Sequence, residues 1–174
     1  GLLCGGAPAA PLPPLLLVDY VTGALLGATD GEAALASKIA RVVVAGDLVA
    51  PSTLSAAALS ERHLDQATQE RLVLPVREAD VVLAQLCAAL PVDVLPGASD
   101  PVNHALPQQP LHACLTPCAA RYSTLHAHTN PFAAAVGGKR FFGTAGQPVA
   151  ALLKFSTRAP PPPAADAAAA EPAP

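Results

Sequence analysis

The sequence has few aromatic residues and no dense basic segment, and both shortages argue against strong nucleic-acid binding by the chain alone. Aromatic residues make up 3% of its 174 residues, and tryptophan and methionine are absent. The formal net charge is −3, and the densest basic pair is Lys139 and Arg140. Affinity for DNA comes largely from neutralising several phosphates, and aromatic rings are the usual platforms for stacked bases. We therefore expect any contact with DNA to be weak or indirect.

Long apolar runs are also missing, so the sequence predicts no membrane span. The apolar segment 12–18 is far shorter than the roughly 20 residues that a transmembrane helix needs. A basic leader and an initiating methionine are both absent, so a signal peptide is not supported and the chain is expected to begin inside a larger protein. The four cysteines form no regular disulfide framework, which favours a reducing intracellular compartment.

Composition divides the chain into three segments. Hydrophobic residues make up 52% of it, but many are alanine, which predicts a thin core that depends on partner subunits. Residues 159–174 contain only Ala, Pro, one Asp and one Glu, and they predict a disordered tail. Residues 1–14 are rich in Gly, Ala and Pro and are interpreted as the remnant of a first strand and loop. Residues 15–158 are expected to form the folded domain.

The pattern of apolar residues predicts an α/β fold. Residues 15–21 and 41–45 predict strands, the second a parallel strand buried on both faces. Residues 60–90 predict helix, broken by Pro75, and residues 92–95 predict the next strand. This order predicts a parallel strand pair with a right-handed crossover. The apolar face of the second helix comprises Ala79, Val82, Leu83, Leu86, Cys87 and Leu90.

The remaining predicted elements are two short helices, one further strand and a hairpin closed by two glycines. They are, in order, helices at 33–39 and 148–155, a strand at 122–129, and hairpin strands at 133–136 and 140–143 around Gly137 and Gly138.

Two predicted strands end in a glycine and an acid, an arrangement typical of metal-dependent phosphoesterases. Gly46 and Asp47 follow the first of these strands, and Gly97 and Asp100 follow the second. The glycine allows a tight turn at the carboxyl end of a strand, where open α/β sheets place their chemistry. Carboxylates, histidine and asparagine then hold two metal ions that activate water.

Most of the ligands that such a site needs are missing. Residues 1–18 contain neither Asp nor His, and Ala50, Pro51 and Ser52 stand where a bridging acid is expected. Ala and Ser occupy the positions of the Asn ligand and the His acid of active enzymes. We therefore predict a non-catalytic chain with no cofactor and no metal. Its vestigial site positions are Asp47, Ala98, Ser99 and Asp100.

Three other groupings have both a chemical and a purely structural interpretation. Two cysteines and three histidines lie within seventeen residues, either as zinc ligands or as buried thiols and scattered surface histidines. The glycine-rich segment 143–146 before a helix either binds an anion or is an ordinary connection. Ser99, Asp100 and His104 include the residue types of nucleophilic catalysis without a nucleophile elbow, so Asp100 is expected to brace its loop. The possible zinc ligands are His112, Cys114, Cys118, His126 and His128.

Six segments, in order along the chain, resemble one known family. They are residues 16–23, 41–48, 91–112, 122–125, 129–132 and 140–147. The most specific positions are Pro96, Gly97, Asp100, Pro101, Leu106, Pro107, Gln108, Gln109, Pro110, Leu111, Thr129, Asn130 and Pro131. Over about residues 15–157 the chain resembles the B-subunits of the eukaryotic DNA polymerases alpha, delta and epsilon, most closely the small regulatory subunit of polymerase delta.

The resemblance implies a partial, degenerate calcineurin-like phosphoesterase fold without the oligonucleotide-binding (OB) domain that accompanies it in the family. It implies a nuclear, non-catalytic scaffold subunit of replicative DNA polymerase delta, active in DNA replication and repair synthesis. The implied partners are the C-terminal metal-binding domain of the catalytic subunit and a further accessory subunit. The alternative is a divergent metal-dependent phosphoesterase or nuclease with a reduced site of Asp47, Asp100, His104 and His112.

Overall fold

The computed structural model describes residues 2–5, 12–51 and 65–156 and has a mixed α/β fold, as predicted. Its helices are α1 (Leu12–Thr22), α2 (Asp30–Ala36), α3 (Gln66–Ala89) and α4 (Gln147–Leu153). Its strands are β1 (Val42–Ala45), β2 (Val92–Leu95), β3 (Leu125–Ala127), β4 (Phe132–Val136) and β5 (Lys139–Gly143). Two 3-10 turns, Ala113–Leu115 and Ala119–Arg121, lie between β2 and β3.

Strands β1, β2 and β3 form a parallel sheet in that order, with α3 connecting β1 to β2. Val92 pairs with Val42 on one side and with Leu125 on the other, so the predicted parallel pair is confirmed. All four residues of β2 are buried, but β1 buries only Val44. The prediction that β1 is covered on both faces is wrong: Val43, on the face away from α3, is 49% exposed, and among the described residues β1 is an edge strand of the sheet.

The core lies between the sheet and α3. The predicted apolar face of α3 is confirmed from Ala79 to Cys87, and Leu90 packs partly buried against the same core. Strands β1 and β2 contribute Val44, Val92 and Val94 to the other side of this core. The 3.6-residue periodicity therefore identified the packed face of α3 correctly.

Residues 15–21 are helical and not the predicted strand. Helix α1 begins at Leu12, which places Pro13 and Pro14 in its first turn, where an amide hydrogen has no partner within the helix. Leucine is also a good helix former, although a run of three leucines resembles a buried strand. Val18 and Val21, three residues apart, are the helix positions that reach the core.

Helix α3 continues through Pro75 and is not broken there. An internal proline loses one backbone hydrogen bond and costs about 3 kcal/mol. The packed apolar face from Ala79 to Cys87, which begins about one turn after the proline, stabilises the helix against this cost. The proline ring also packs where a side chain on Gly5 would overlap it.

The other predicted elements differ from the structure mainly at their ends. Helix α2 begins three residues before the prediction, because Thr29 and Glu32 form a capping box that starts the helix earlier than its apolar residues indicate. Strand β3 is shorter than predicted, whereas the hairpin of β4 and β5 and the proline in the first turn of α4 are confirmed.

Several predictions fall on residues that the structure does not describe. They concern the helical pattern at 60–64, Ser52 and the tail at 159–174. Among the described residues, no helix is long and apolar enough to cross a membrane.

Candidate functional site

The loops after β1 and β2 lie side by side, so the two predicted elbows form one structural unit. The Gly46 amide donates to the carbonyl of Leu95 at 3.1 Å. A Cβ atom on Gly46 would lie 2.9 Å from the Cα atom of Gly97, and a Cβ atom on Gly97 would overlap the backbone nitrogen of Asp47. Real Cβ atoms do not approach backbone so closely, and both elbows therefore require glycine.

Asp100 is buried and braces its own loop. Its Oδ2 atom accepts a hydrogen bond from the Gly97 amide at 2.7 Å, and its Oδ1 atom accepts one from the Val49 amide at 3.0 Å. Burial raises the pKa of Asp100 above its ordinary value, although the backbone donors oppose the rise. Both carboxylate oxygens thus hold main-chain amides.

Asp47 makes the reciprocal contact across the two loops. Its Oδ1 atom accepts from the Ser99 amide at 3.1 Å, and the residue adopts φ +47°, which is unusual for a non-glycine residue. Each elbow therefore supplies an acid that holds the backbone of the other, Asp47 to Ser99 and Asp100 to Val49. Asp100 makes no hydrogen bond to His104, so the nucleophilic grouping is not formed in the described structure.

The histidines proposed for a reduced phosphoesterase site lie apart from these acids. The Nδ1 atom of His112 accepts from the Cys114 amide at 3.2 Å and caps the first 3-10 turn, and His104 is exposed in its loop. Within the described residues, no three His, Cys, Asp or Glu side chains form a group that could hold a metal ion. The structure does not assemble a reduced site from Asp47, Asp100 and these histidines.

The zinc grouping is not assembled either. Cys114 and Cys118 are exposed free thiols, so the alternative of buried cysteines is also wrong. The Cys118 and Ala119 amides each donate to Asp80 at 2.9 Å, which caps the second 3-10 turn from α3. The hydrogen bond and the negative charge of Asp80 raise the pKa of the Cys118 thiol and disfavour the thiolate that would bind zinc.

Asn130, one of the motif positions, is the centre of a buried polar network. Its Oδ1 atom accepts from the Thr144 hydroxyl and from the Ala145 amide, both at 3.1 Å. Its Nδ2 atom donates to Gln108 at 2.7 Å and to Gln147 at 2.9 Å. The Thr144 and Ala145 donors of the glycine-rich segment before α4 are therefore used by Asn130 and not by an anion. This segment acts as a connection that the network holds in place.

Gln108 extends this network to the loop after β2. Its Nε2 atom donates to the carbonyls of Gly97 and Asn103, both at 3.0 Å. Its backbone forms a bridge with Asn130, donating at 2.9 Å and accepting at 3.2 Å. We call Gln108, Asn130, Thr144 and Gln147 the amide network. It joins the β2 loop, the start of β4 and the start of α4.

A second buried cluster, centred on Asp93, was missed by the sequence analysis. Arg41 donates to both carboxylate oxygens of Asp93 at 2.6 and 2.8 Å, and the Nε2 atom of His128 lies 2.8 Å from Oδ1. Burial alone would raise the pKa of Asp93, but the hydrogen bonds from Arg41 and His128 outweigh burial and hold that pKa below its ordinary value. The sequence feature that could have revealed this cluster is Asp93 itself, an acid inside the otherwise apolar strand β2. The cluster ties the three parallel strands together.

Comparisons with known proteins agree with the resemblance of the six segments. A family model that describes the B-subunit of DNA polymerase alpha/epsilon matches residues 16–168. The chain is 42% identical over 158 residues to the DNA polymerase delta small subunit of Oryza sativa subsp. japonica, and the match covers 90% of this chain and 35% of that protein. It is 41% identical over 157 residues to the DNA polymerase delta small subunit of Arabidopsis thaliana, covering 90% and 34%.

A third relative is the DNA polymerase delta subunit 2 of Drosophila melanogaster, which is 36% identical over 122 residues, or 70% of this chain and 28% of that protein. All three names describe a subunit of a polymerase. The chain spans about a third of the length of the curated relatives it matches. The predicted family resemblance is confirmed.

Proposed function

Because the chain belongs to the B-subunit family of DNA polymerases alpha and epsilon, we propose that it is a non-catalytic accessory subunit of the replicative DNA polymerase delta. The observation that carries the proposal is the identity of 41–42% with two polymerase delta small subunits over 90% of the chain. Its role would be to bind the catalytic subunit and to maintain the polymerase assembly during DNA replication and repair synthesis in the nucleus.

A degenerate calcineurin-like phosphoesterase domain is the fold that we propose for this role. The parallel sheet with glycine–acid elbows at the carboxyl ends of β1 and β2 supports it. The contacts of Asp47 and Asp100 support a structural use of the vestigial site, since these acids accept hydrogen bonds from backbone amides.

The proposed partners are the C-terminal metal-binding domain of the catalytic subunit and a further accessory subunit. Exposed apolar side chains support a chain that associates with other proteins, because monomeric proteins rarely leave large apolar patches uncovered. Contact with DNA would be indirect or weak, given the net charge of −3 and the scarcity of aromatic residues.

Co-expression with the catalytic subunit of polymerase delta tests the proposed function. Affinity purification through the catalytic subunit at mild salt should recover the chain in a constant ratio. The same preparation should show no manganese-dependent hydrolysis of a phosphodiester beyond that of the Asp47→Ala variant. A chain that is never recovered with the catalytic subunit, or hydrolysis that this substitution abolishes, would contradict the proposal.

A further inference from the structure

One face of the ribbon formed by β4 and β5 is not covered by any described part of the chain. Directly paired residues of antiparallel strands lie on the same face, and Ala133–Phe142 and Ala135–Arg140 are such pairs. All four residues are exposed, and Phe142 is 77% exposed. We call these four residues the outer ribbon face. A two-stranded ribbon is marginally stable by itself, so an uncovered apolar face of this kind favours association.

Hydrogen bonds and ring packing anchor the base of the ribbon, whereas its outer face is exposed. Asn130 precedes β4 and holds Thr144 and Ala145, which follow β5, through its Oδ1 atom. On the opposite face, Phe132 is buried at the base and its ring centroid lies 4.9 Å from that of His128, whereas Phe141, farther along the same face, is 54% exposed. The ribbon is therefore anchored at its base, and such anchoring lowers the entropy that a partner must overcome on binding.

The outer ribbon face includes one basic residue and no acid, and the sequence segment that contains the ribbon carries charge of one sign. The sequence contains no Asp or Glu between Asp100 and Asp166. The same interval contains five basic residues, Arg121, Lys139, Arg140, Lys154 and Arg158. Arg140 lies on the outer ribbon face itself, beside the apolar side chains, so this surface matches a partner that carries acidic and apolar residues together.

We propose that the outer ribbon face is the docking surface for an acidic, apolar polypeptide segment of another subunit in the polymerase assembly, an inference that rests on the proposed function. Apolar side chains of the segment cover Ala133, Ala135 and Phe142, and a carboxylate of the segment pairs with Arg140 in the fork geometry that favours arginine. Helix α4, which follows after a short connection, also has no buried residue.

Two other occupants fit the outer ribbon face less well. A nucleic acid would meet one basic side chain and one aromatic ring there, too few for the phosphate contacts and stacking that support affinity. A second copy of the chain, placed by a two-fold axis, would put two Arg140 side chains into one small interface that offers no acid to pair with them.

The test uses the full chain co-expressed with the catalytic subunit and the further accessory subunit of polymerase delta. Phe142→Glu and Arg140→Glu should each weaken association by about 30-fold, as expected for loss of an aromatic or arginine anchor. Arg140→Lys should lose less. The matched control is Leu26→Glu, which places the same acid at a side chain that is 97% exposed and outside the ribbon. Circular dichroism and thermal unfolding establish that each variant is folded.

The possible outcomes separate this proposal from the proposed function. Recovery of the wild-type chain and of Leu26→Glu, with loss of both ribbon variants, supports both. Recovery of all variants at wild-type affinity overturns the docking surface and leaves the subunit role intact. Failure of the wild-type chain to associate overturns both. If the wild-type chain binds a single-stranded oligonucleotide and Phe142→Glu abolishes that binding, the face is assigned to DNA instead. If the wild-type chain sediments as a dimer and Phe142→Glu is a monomer, the face is assigned to a second copy.

Discussion

Single residues in the two elbows show how a phosphoesterase-like arrangement can serve structure. In the proposed fold, Asp47 and Asp100 would stand where such enzymes place metal ligands, and each accepts backbone hydrogen bonds, including one from the opposite loop. Gly46 and Gly97 allow the loops to approach this closely. Acids and glycines with such contacts stabilise the two loops independently of any chemistry at the site.

Replacing Asp100 tests this bracing role. Asp100→Ala leaves the buried Gly97 and Val49 amides without an acceptor and should lower the free energy of unfolding by about 2–4 kcal/mol. Asp100→Asn keeps one oxygen acceptor and should lose about half as much. Urea denaturation measures both. Wild-type stability of Asp100→Ala would show that these hydrogen bonds contribute little.

Replacing Gly97 tests the close approach of the two loops. Gly97→Ala places a methyl group against the Asp47 backbone and should cost about 2–3 kcal/mol of stability. The control is Gly31→Ala in α2, where the nearest atom lies 3.9 Å from the added carbon and stability should rise by up to about 1 kcal/mol. Equal stabilities of the two variants in urea denaturation would refute the steric argument.

Asp93 predicts a specific dependence of stability on pH. Its folded pKa is lower than the unfolded value of about 3.9, so its contribution is present above pH 4 and is lost as pH falls through the folded pKa. The stability advantage of the wild type over Asp93→Asn should therefore shrink as the pH falls below about 4. Urea titrations at each pH measure this difference. A difference that grows as the pH falls below 4 would contradict the sign of the shift.

Among the elements, the ribbon of β4 and β5 depends on the amide network at its base. The network holds the segments before β4 and before α4 to the loop after β2. Buried networks of this kind are stabilising only when every member is satisfied. Loss of the amide network should therefore destabilise both β4 and β5.

Asn130→Asp tests the network directly. The substitution replaces an amide donor with a carboxylate that faces the side-chain oxygens of Gln108 and Gln147 and should destabilise the protein by about 3 kcal/mol. Amide hydrogen exchange should increase most in β4 and β5. The control is Asn103→Asp, an exposed site where the loss should stay within about 1 kcal/mol. Uniform exchange across the sheet and the ribbon would argue against local anchoring.

The sequence predicted elements with clear periodicity better than elements whose state depends on packing. The apolar face of α3 and the hairpin turn at Gly137 and Gly138 follow from local rules and are confirmed. The run at 15–21 could not be assigned by hydrophobicity alone, and Pro75 remains helical because long-range packing outweighs its local cost.

The candidate site was predictable in its residues but not in its contacts. The sequence identified Asp47, Asp100, Gln108 and Asn130 as positions of interest. Their hydrogen bonds connect loops that lie up to 52 residues apart in the chain, as between Ser99 and Asp47, and local patterns carry no information on such distances. Asp93 was missed for the same reason, since its partners come from before β1 and after β3.

For the whole molecule, the arrangement of charge and apolar surface is consistent with the proposed association with other subunits. The acids precede residue 101 except for Asp166 and Glu171, whereas the ribbon and α4 carry basic and exposed apolar side chains. The edge strand β1 also leaves Val43 half exposed. Together with membership of the B-subunit family, these features support the proposal that the chain contributes binding surfaces.

The central claim is that this chain associates with polymerase delta as a structural subunit. The most direct measurement is the mass of the species formed when the separately purified chain and catalytic subunit are mixed and run on size exclusion with light scattering. We predict one peak whose mass equals the sum of one copy of each. Two peaks with the masses of the separate proteins, at micromolar concentration and mild salt, would contradict the claim.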